Sequence, residues 1–577
     1  YERICEGRYR FFDGIIVIKR PRMEEYMKKY LRYGLIVGLA SVFALSAFAG
    51  CGGGENESSP SSSDSTSGNS SSVEDTENYE GYFKKMTITS GDLLVYGRAE
   101  NLSTEQQFLA ESIQGLFAQK GESKYYHYRT GSYETWLSEI ETEYGKKNRD
   151  VTLSEMLQDY KENIGTGYVL FDKSVSASVN CARSIAGVEG LAMIDISLKD
   201  WAEENGLVQR CDATTMSEEE CFDTYKDKFD NSGLVQQNGS NIFLTDYAIA
   251  CKYYCYFVTD KKPASLTFRN KVQDWCRECA VYGWCPLDEG TDVAFSSRYG
   301  SFTLASDYCL NMSVFSCTDF FGIDYLEQPN KETEKEYSTN KHYITIVNSD
   351  GDNLQCWYGG TFEDKKYMGA QRGNFPMGWS VSPALLSLGS NILKHTYDNA
   401  KSGDQFVCSV SGLGYTYPMS YSAESLKRYC SILNEYLGAL DLSVVKILDN
   451  GLPESTIEAY AAMENAEGFL YCTYSDSYVG EHGSVYWSDN GKPFVSCRAT
   501  MWNSSPEAIA QQINAYPADA TTIEGYTYVN LHVWSMEYSD VVEMVELLDD
   551  DVEVVTPETF IRLIKENVPH EDVELTE

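Results

Sequence analysis

Two aspartates, Asp350 and Asp352 in the run Ser349-Asp350-Gly351-Asp352-Asn353, are the side chains of this sequence best placed to do chemistry. They follow an apolar stretch, 343–347, that reads as a strand, and residues two apart on an extended backbone project to one side. Two carboxylates held close together repel, so one keeps its proton at a pH where the other has lost it. That is the division of labour an acid and a base or nucleophile need for glycosidic cleavage. The same pair could instead hold a divalent metal or sugar hydroxyls, with Asn353 beside it as a further substrate contact, or could form an Asx turn that ends the strand. A carboxylate on the other side of a scissile bond must come from a different loop, and Asp449, Asp476 and Glu481 stand in or just after other strand ends. His532, one of six histidines, ends another strand and could partner a carboxylate or complete a metal site with Asp350 and Asp352. Tyr415, Tyr417, Trp379 and Trp534 offer rings for pyranose faces or, equally, for a core. Gly412 and Gly414 permit positive φ or close approach of backbone to a ligand.

These residues need a scaffold that gathers them, and the pattern around them supplies one. Seven strand candidates, 343–347, 406–410, 443–448, 468–471, 494–498, 527–533 and 552–555, alternate with helix patterns at 383–399, 423–440, 506–515 and 538–548. Strands separated by helices imply a parallel sheet. Over a segment of this length a (β/α) barrel of seven or eight strands is the more economical closure, with an open doubly wound sheet as the alternative. The chemistry-bearing clusters fall at strand C-termini, whose loops share one face of such a fold. Ahead of this domain, placed at 340–570, residues 81–330 form a further α/β region of one or more subdomains. There the helix pattern 102–119 opens on a capping box, Ser103 with Gln106. The charged, apolar-poor stretch 330–341 marks the boundary.

Gly412-Leu413-Gly414-Tyr415-Thr416-Tyr417-Pro418 fits the pattern that names the GxGYxYP family, whose members are described as glycoside hydrolases of gut bacteria. The stretches 349–355, 377–383 and 532–535 are similar to the family as well, as are 167–172, 178–187, 244–250, 283–284, 297–300 and 311–313 in the N-terminal half. The resemblance spans about 85–570. It implies a carbohydrate substrate and a site at the strand ends of the C-terminal domain.

The first residues predict export. Met27, Lys28, Lys29 and Arg32 precede the apolar run 35–48, which is shorter than the roughly 20 residues a membrane-spanning helix needs. Phe48-Ala49-Gly50-Cys51 resembles a bacterial lipobox, which would make Cys51 a lipidated first residue. On this reading 27–50 is a lipoprotein signal peptide, 1–26 an upstream artefact, and the Gly/Ser-rich segment 51–80 a tether too polar to fold. The membrane would be touched only through the anchor. A net charge of −39 makes nucleic acid a poor partner, because such a field repels phosphate backbones. Setting aside Cys5 and Cys51, the 17 cysteines leave an odd number without a repeated spacing, which excludes a complete disulfide framework. Three function classes follow: a glycoside hydrolase, a metal-dependent glycan deacetylase or related hydrolase, and a glycan-binding lipoprotein without catalysis.

Overall fold

The computed structural model describes residues 81–331, 335–359, 372–475, 477–502 and 504–576. Cys51, with the rest of 1–80, and Asp476 lie outside the described residues. Three small parallel sheets come first. The first runs β2-β1-β3, from β1 (Leu93–Tyr96), β2 (Tyr125–His127) and β3 (Asn148–Asp150). The second runs β5-β4-β6, from β4 (Gly167–Phe171), β5 (Ala192–Asp195) and β6 (Val208–Asp212). The third runs β10-β9-β7-β8, from β7 (Gly233–Gln236), β8 (Tyr254–Tyr256), β9 (Ala280–Gly283) and β10 (Phe302–Ala305). Helices join the strands, as the alternating pattern predicts. The helix Thr104–Gln119 starts at Ser103 with its capping box formed, which satisfies two backbone N–H groups that would otherwise lack partners.

The C-terminal region is a closed barrel of seven parallel strands. Around the ring stand β11 (His342–Asn348), β12 (Met377–Val381), β13 (Asp404–Cys408), β14 (Val444–Asp449), β15 (Gly468–Thr473), β17 (Pro493–Met501) and β18 (Tyr526–Leu531), with β18 pairing back onto β11 and β11 onto β12. The short β16 (Val485–Trp487) runs antiparallel on β17, and β19 (Val552–Val554) pairs with the first residues of β11. The seven staves are therefore not the seven expected strands. Met377-Gly378-Trp379-Ser380-Val381 is a stave that the pattern missed, and 552–555 lies beside the ring as an added strand on β11. The helix expected over 383–399 is two, Leu385–Leu388 and Ser390–Asp398, divided at Gly389.

Alternate residues of the staves point inward, and Tyr343, Val347, Val407, Val444, Leu470, Cys472, Val495, Cys497, Tyr526 and Tyr528 share one apolar cluster. The C-terminal helix Pro557–Asn567 closes the foot, adding Phe560, Ile561 and Ile564 to that cluster. Room for it comes from two staves without side chains at the contact. A Cβ on Gly468 would meet Ile561 at 2.5 Å and one on Gly378 would meet Pro557 at 2.6 Å. With the foot plugged, the strand C-termini form the open mouth. All 15 cysteines of the described residues are free thiols, most of them buried.

Candidate active site

The Asp350 loop begins where β11 ends. Asp350 takes a left-handed backbone conformation, φ 58°, which aspartate tolerates better than most residues. A tight turn results, and Gly351 at its centre lies so close to β12 that a Cβ there would meet the Ser380 carbonyl at 2.1 Å. The turn separates the two aspartates. Asp350 stays half-buried and receives the Trp534 indole Nε1–H at 2.6 Å on one oxygen and the Ser349 hydroxyl on the other. Asp352 is buried, 3 % exposed. Burial and then the charge of Asp350 push its carboxyl up to about 7, Glu289 adding to the rise and Lys446 opposing it. Asn353 donates to the Asp350 carbonyl at 3.3 Å and starts the short helix Leu354–Tyr358, so its amide holds the turn instead of facing solvent.

A third carboxylate arrives from outside the barrel. Glu289 is the first residue of the helix Glu289–Ser297 in the third sheet's domain, set by Asp288, whose side chain caps that helix at Thr291 N. Its Oε1 accepts the Tyr415 hydroxyl at 2.8 Å, and that hydroxyl lies 3.3 Å from the Tyr417 hydroxyl. Burial raises the Glu289 carboxyl above the usual range, the Tyr415 hydrogen bond works against the rise, and the charge of Asp350 adds to it. Burial, and then the charges of Asp350 and Glu289, raise the Tyr478 hydroxyl. Sequence reasoning missed Glu289. The available signal was Asp288-Glu289 soon after Gly283-Trp284, a strand end running into a capped helix.

The GxGYxYP loop carries this contact because it docks on the third domain. Tyr415 and Thr303 exchange backbone hydrogen bonds at 2.8 and 2.9 Å, an antiparallel bridge to β10. Ser297 Oγ then meets Thr416 Oγ1 at 2.8 Å and Tyr417 N at 3.0 Å. Gly414 serves this docking, and Gly412 the packing of the loop on the barrel's own helix Ala423–Ala439. A Cβ on Gly414 would meet Phe302 at 2.6 Å and the Thr303 carbonyl at 2.9 Å, and one on Gly412, at φ 122°, would meet the Tyr429 hydroxyl at 2.6 Å. Tyr415 and Tyr417 are almost wholly buried, with Trp284 stacked 6.5 Å from Tyr415 and Tyr474 5.4 Å from Tyr417, so neither presents an open ring face.

The remaining expected residues divide. His532 stacks on Trp502 at 4.2 Å, its Nδ1 lies 2.8 Å from Ser535 Oγ, and burial lowers its pKa while the Asp350 charge opposes that change. Trp534, 49 % exposed, is the open ring at the mouth. Trp379 is not at the mouth: it is buried on the outer face of β12, bonded through Nε1 to Asp404 at 2.8 Å and stacked with Tyr538. Asp449 turns away from the barrel interior. Its carboxylate accepts Met419 N at 2.8 Å and Asn450 N at 2.7 Å, and burial pushes it up to about 7 against those bonds, so it anchors the exit of the tyrosine loop. Glu481 accepts the Tyr486 hydroxyl at 2.9 Å beside β16. Among the described residues, no group of three or more His, Cys, Asp or Glu side chains is arranged to hold a metal.

Comparison with known proteins adds four family matches along the chain. The GxGYxYP first, second and third N-terminal domains match residues 94–162, 166–229 and 232–317, and the "GxGYxYP putative glycoside hydrolase C-terminal domain" matches 340–565. The chain is also similar to the crystal structure of a "putative hydrolase" from Bacteroides thetaiotaomicron VPI-5482, at 26 % identity and a TM-score of 0.76, covering 84 % of this chain and 97 % of that one. Among curated proteins, none matches the sequence.

Proposed function

Because the chain belongs to the GxGYxYP family, we propose that it hydrolyses glycosidic bonds with Glu289 as general acid and Asp350 as the opposing base or nucleophile. The observation that carries this reading is that Glu289, brought from another domain, holds its proton to higher pH than a free glutamate and is raised in part by the charge of Asp350, which the Trp534 indole grips. A carboxyl that keeps its proton under the influence of a second carboxylate is what glycoside cleavage requires. Asp352, buried and inclined to stay protonated near neutrality, keeps the turn from carrying two charges. Trp534 supplies the exposed ring for a sugar face. The substrate is a glycan met outside the cell. The order of basic, apolar and small residues before Cys51 supports export and lipid anchoring on the bacterial surface, with 51–80 as the tether.

The test is a panel of aryl glycosides and polysaccharides, read by reducing-end release and by acetate release, on wild type, Glu289→Gln and Asp350→Asn. Reducing ends from wild type alone, with both variants folded, support the proposal. Acetate release would move the assignment to a deacetylase, and binding without turnover to a glycan-binding lipoprotein. For the anchor, Cys51→Ser should move the protein out of the membrane fraction, and retention there would refute lipidation.

A further inference from the structure

Beneath the mouth lies a buried lysine whose charge no contact neutralises. Lys446 points into the barrel from the middle of β14 and is 2 % exposed. Its ammonium donates to the Asn348 carbonyl at 2.9 Å and to Asn530 Oδ1 at 2.6 Å, both uncharged, and no carboxylate of the described residues lies within ion-pair distance. Burying an ammonium on neutral acceptors costs several kcal/mol, and an apolar side chain of the same length would fill the space without that cost. The two acceptors are not arbitrary. Asn348 ends β11 two residues before Asp350, and Asn530 lies on β18 two residues before His532. Asn348 is itself fixed to β12, its Oδ1 accepting Ser380 N at 2.7 Å. β11 and β18 are already paired along their length, Asn348 opposite Leu531 and Ser349 N donating to the Leu531 carbonyl at 2.8 Å, so what the ammonium adds is a tie from β14, across the barrel, to the ends of the two staves whose loops meet above it through the Trp534–Asp350 hydrogen bond.

We propose that Lys446 is a positioning residue of the site: by anchoring both Asn348 and Asn530 to β14 across the barrel it fixes the Asp350 loop and the His532–Trp534 loop over the mouth. The inference rests on the glycosidase reading for its consequence in turnover, but the positional effect stands apart from any substrate. Misplacing a reacting group by about 1 Å costs on the order of 100-fold in rate.

The experiment uses full-length protein labelled with 5-fluorotryptophan, the Trp534 resonance being assigned by Trp534→Phe. In Lys446→Met the Trp534 signal should shift by more than its linewidth while those of Trp136 and Trp379, packed elsewhere, stay in place. With whichever aryl glycoside wild type cleaves, kcat should fall about 100-fold with KM changed less than about threefold. Asn530→Ala removes one of the two acceptors and should move the same signal, which keeps the test alive if Lys446→Met fails to fold. A folded Lys446→Met with an unmoved Trp534 signal, or with all tryptophan signals displaced together, overturns the proposal. If wild type cleaves no glycoside but the Trp534 signal moves as expected, the glycosidase reading has failed and the positioning role has not.

Discussion

Replacing Tyr415 by Phe isolates the contact on which the acid assignment depends. The ring stays, so packing against Trp284 and Tyr417 is kept, and only the hydroxyl 2.8 Å from Glu289 is lost. That hydroxyl donates to the carboxylate and favours its charged form, in keeping with its effect of holding the Glu289 pKa down. A hydrogen bond to a charged group contributes about 1.5–3 kcal/mol, and about 1.4 kcal/mol corresponds to one pKa unit. Losing it should raise the Glu289 pKa further. If Glu289 works as the acid it must be protonated, so the basic limb of the kcat/KM profile should move up and activity should persist to higher pH. Were Glu289 a base, the acidic limb would move up instead, with activity lost at low pH. Stability should fall by only about 1–2 kcal/mol, a few degrees in Tm at most. The assay is the pH dependence of aryl-glycoside cleavage from pH 4 to 9 on both proteins, with Tm measured on the same samples. A profile in which neither limb moves by more than about 0.3 unit would show that Glu289 is not the titrating group, and the acid assignment would be lost.

The buried carboxyls should also govern stability against pH. Asp246, Asp352, Asp449 and Glu218 are pushed up to about 7 and Asp307 to about 6, each mainly by burial. A raised carboxyl gives stability that is complete below its unfolded pKa near 4 and lost as pH climbs through 6–7, so Tm should be higher at pH 5 than at pH 8. His342, pushed down to about 4 by burial, and His532, lowered mainly by burial as well, pull the other way below about 6.5 but are outweighed by the five carboxyls. Asp352→Asn should raise Tm at pH 8, by up to about 4 kcal/mol of stability, and leave it unchanged at pH 4, where the native group is already neutral. An equal Tm change at both pH values would mean that Asp352 is not held protonated. Gly414→Ala, forced against Phe302 and the Thr303 carbonyl, should cost about 1–3 kcal/mol by differential scanning calorimetry and lower activity with it. Trp379→Phe and Trp534→Phe should separate cleanly: the first loses its bond to Asp404 and lowers Tm with KM intact, whereas the second leaves Tm alone and lowers turnover.

Most of the barrel was legible because its staves are buried on both faces and so appear as short apolar runs between helices, as at Val444–Asp449 and Gly468–Thr473. β12 escaped because Gly378 and Ser380 interrupt its apolar run. The glycine is there to admit Pro557, a partner 179 positions away that no local window contains. Val552–Val554 was misplaced for the complementary reason: periodicity identifies a strand but not which edge it joins. At the site, Asp350 and Trp534 were visible from their strand-end positions, but their mutual bond was not. Glu289 was hidden because an acidic residue in the first helical turn ordinarily reads as a helix-dipole partner. Only the docking of two domains turns it toward the mouth. Trp379 misled for the opposite reason, since a tryptophan within a family-like stretch gives no sign of which face of its strand it occupies.

The Thr303–Tyr415 bridge has a bearing on how the chain is made. β10 is the last strand of the third sheet in the order β10-β9-β7-β8, so one edge of it has no neighbour within its own domain. Its partner is residue 415, more than a hundred positions further on, and emerges from the ribosome well after β10 is complete. Until then the growing chain carries an open edge flanked by Phe302 and Leu304, apolar and able to pair with any other extended strand. The signature loop closes that edge with backbone bonds, while Gly414 lets it lie flat against Phe302. A chain cut between 320 and 400 should therefore aggregate through β10 even though every residue of its own three domains is present.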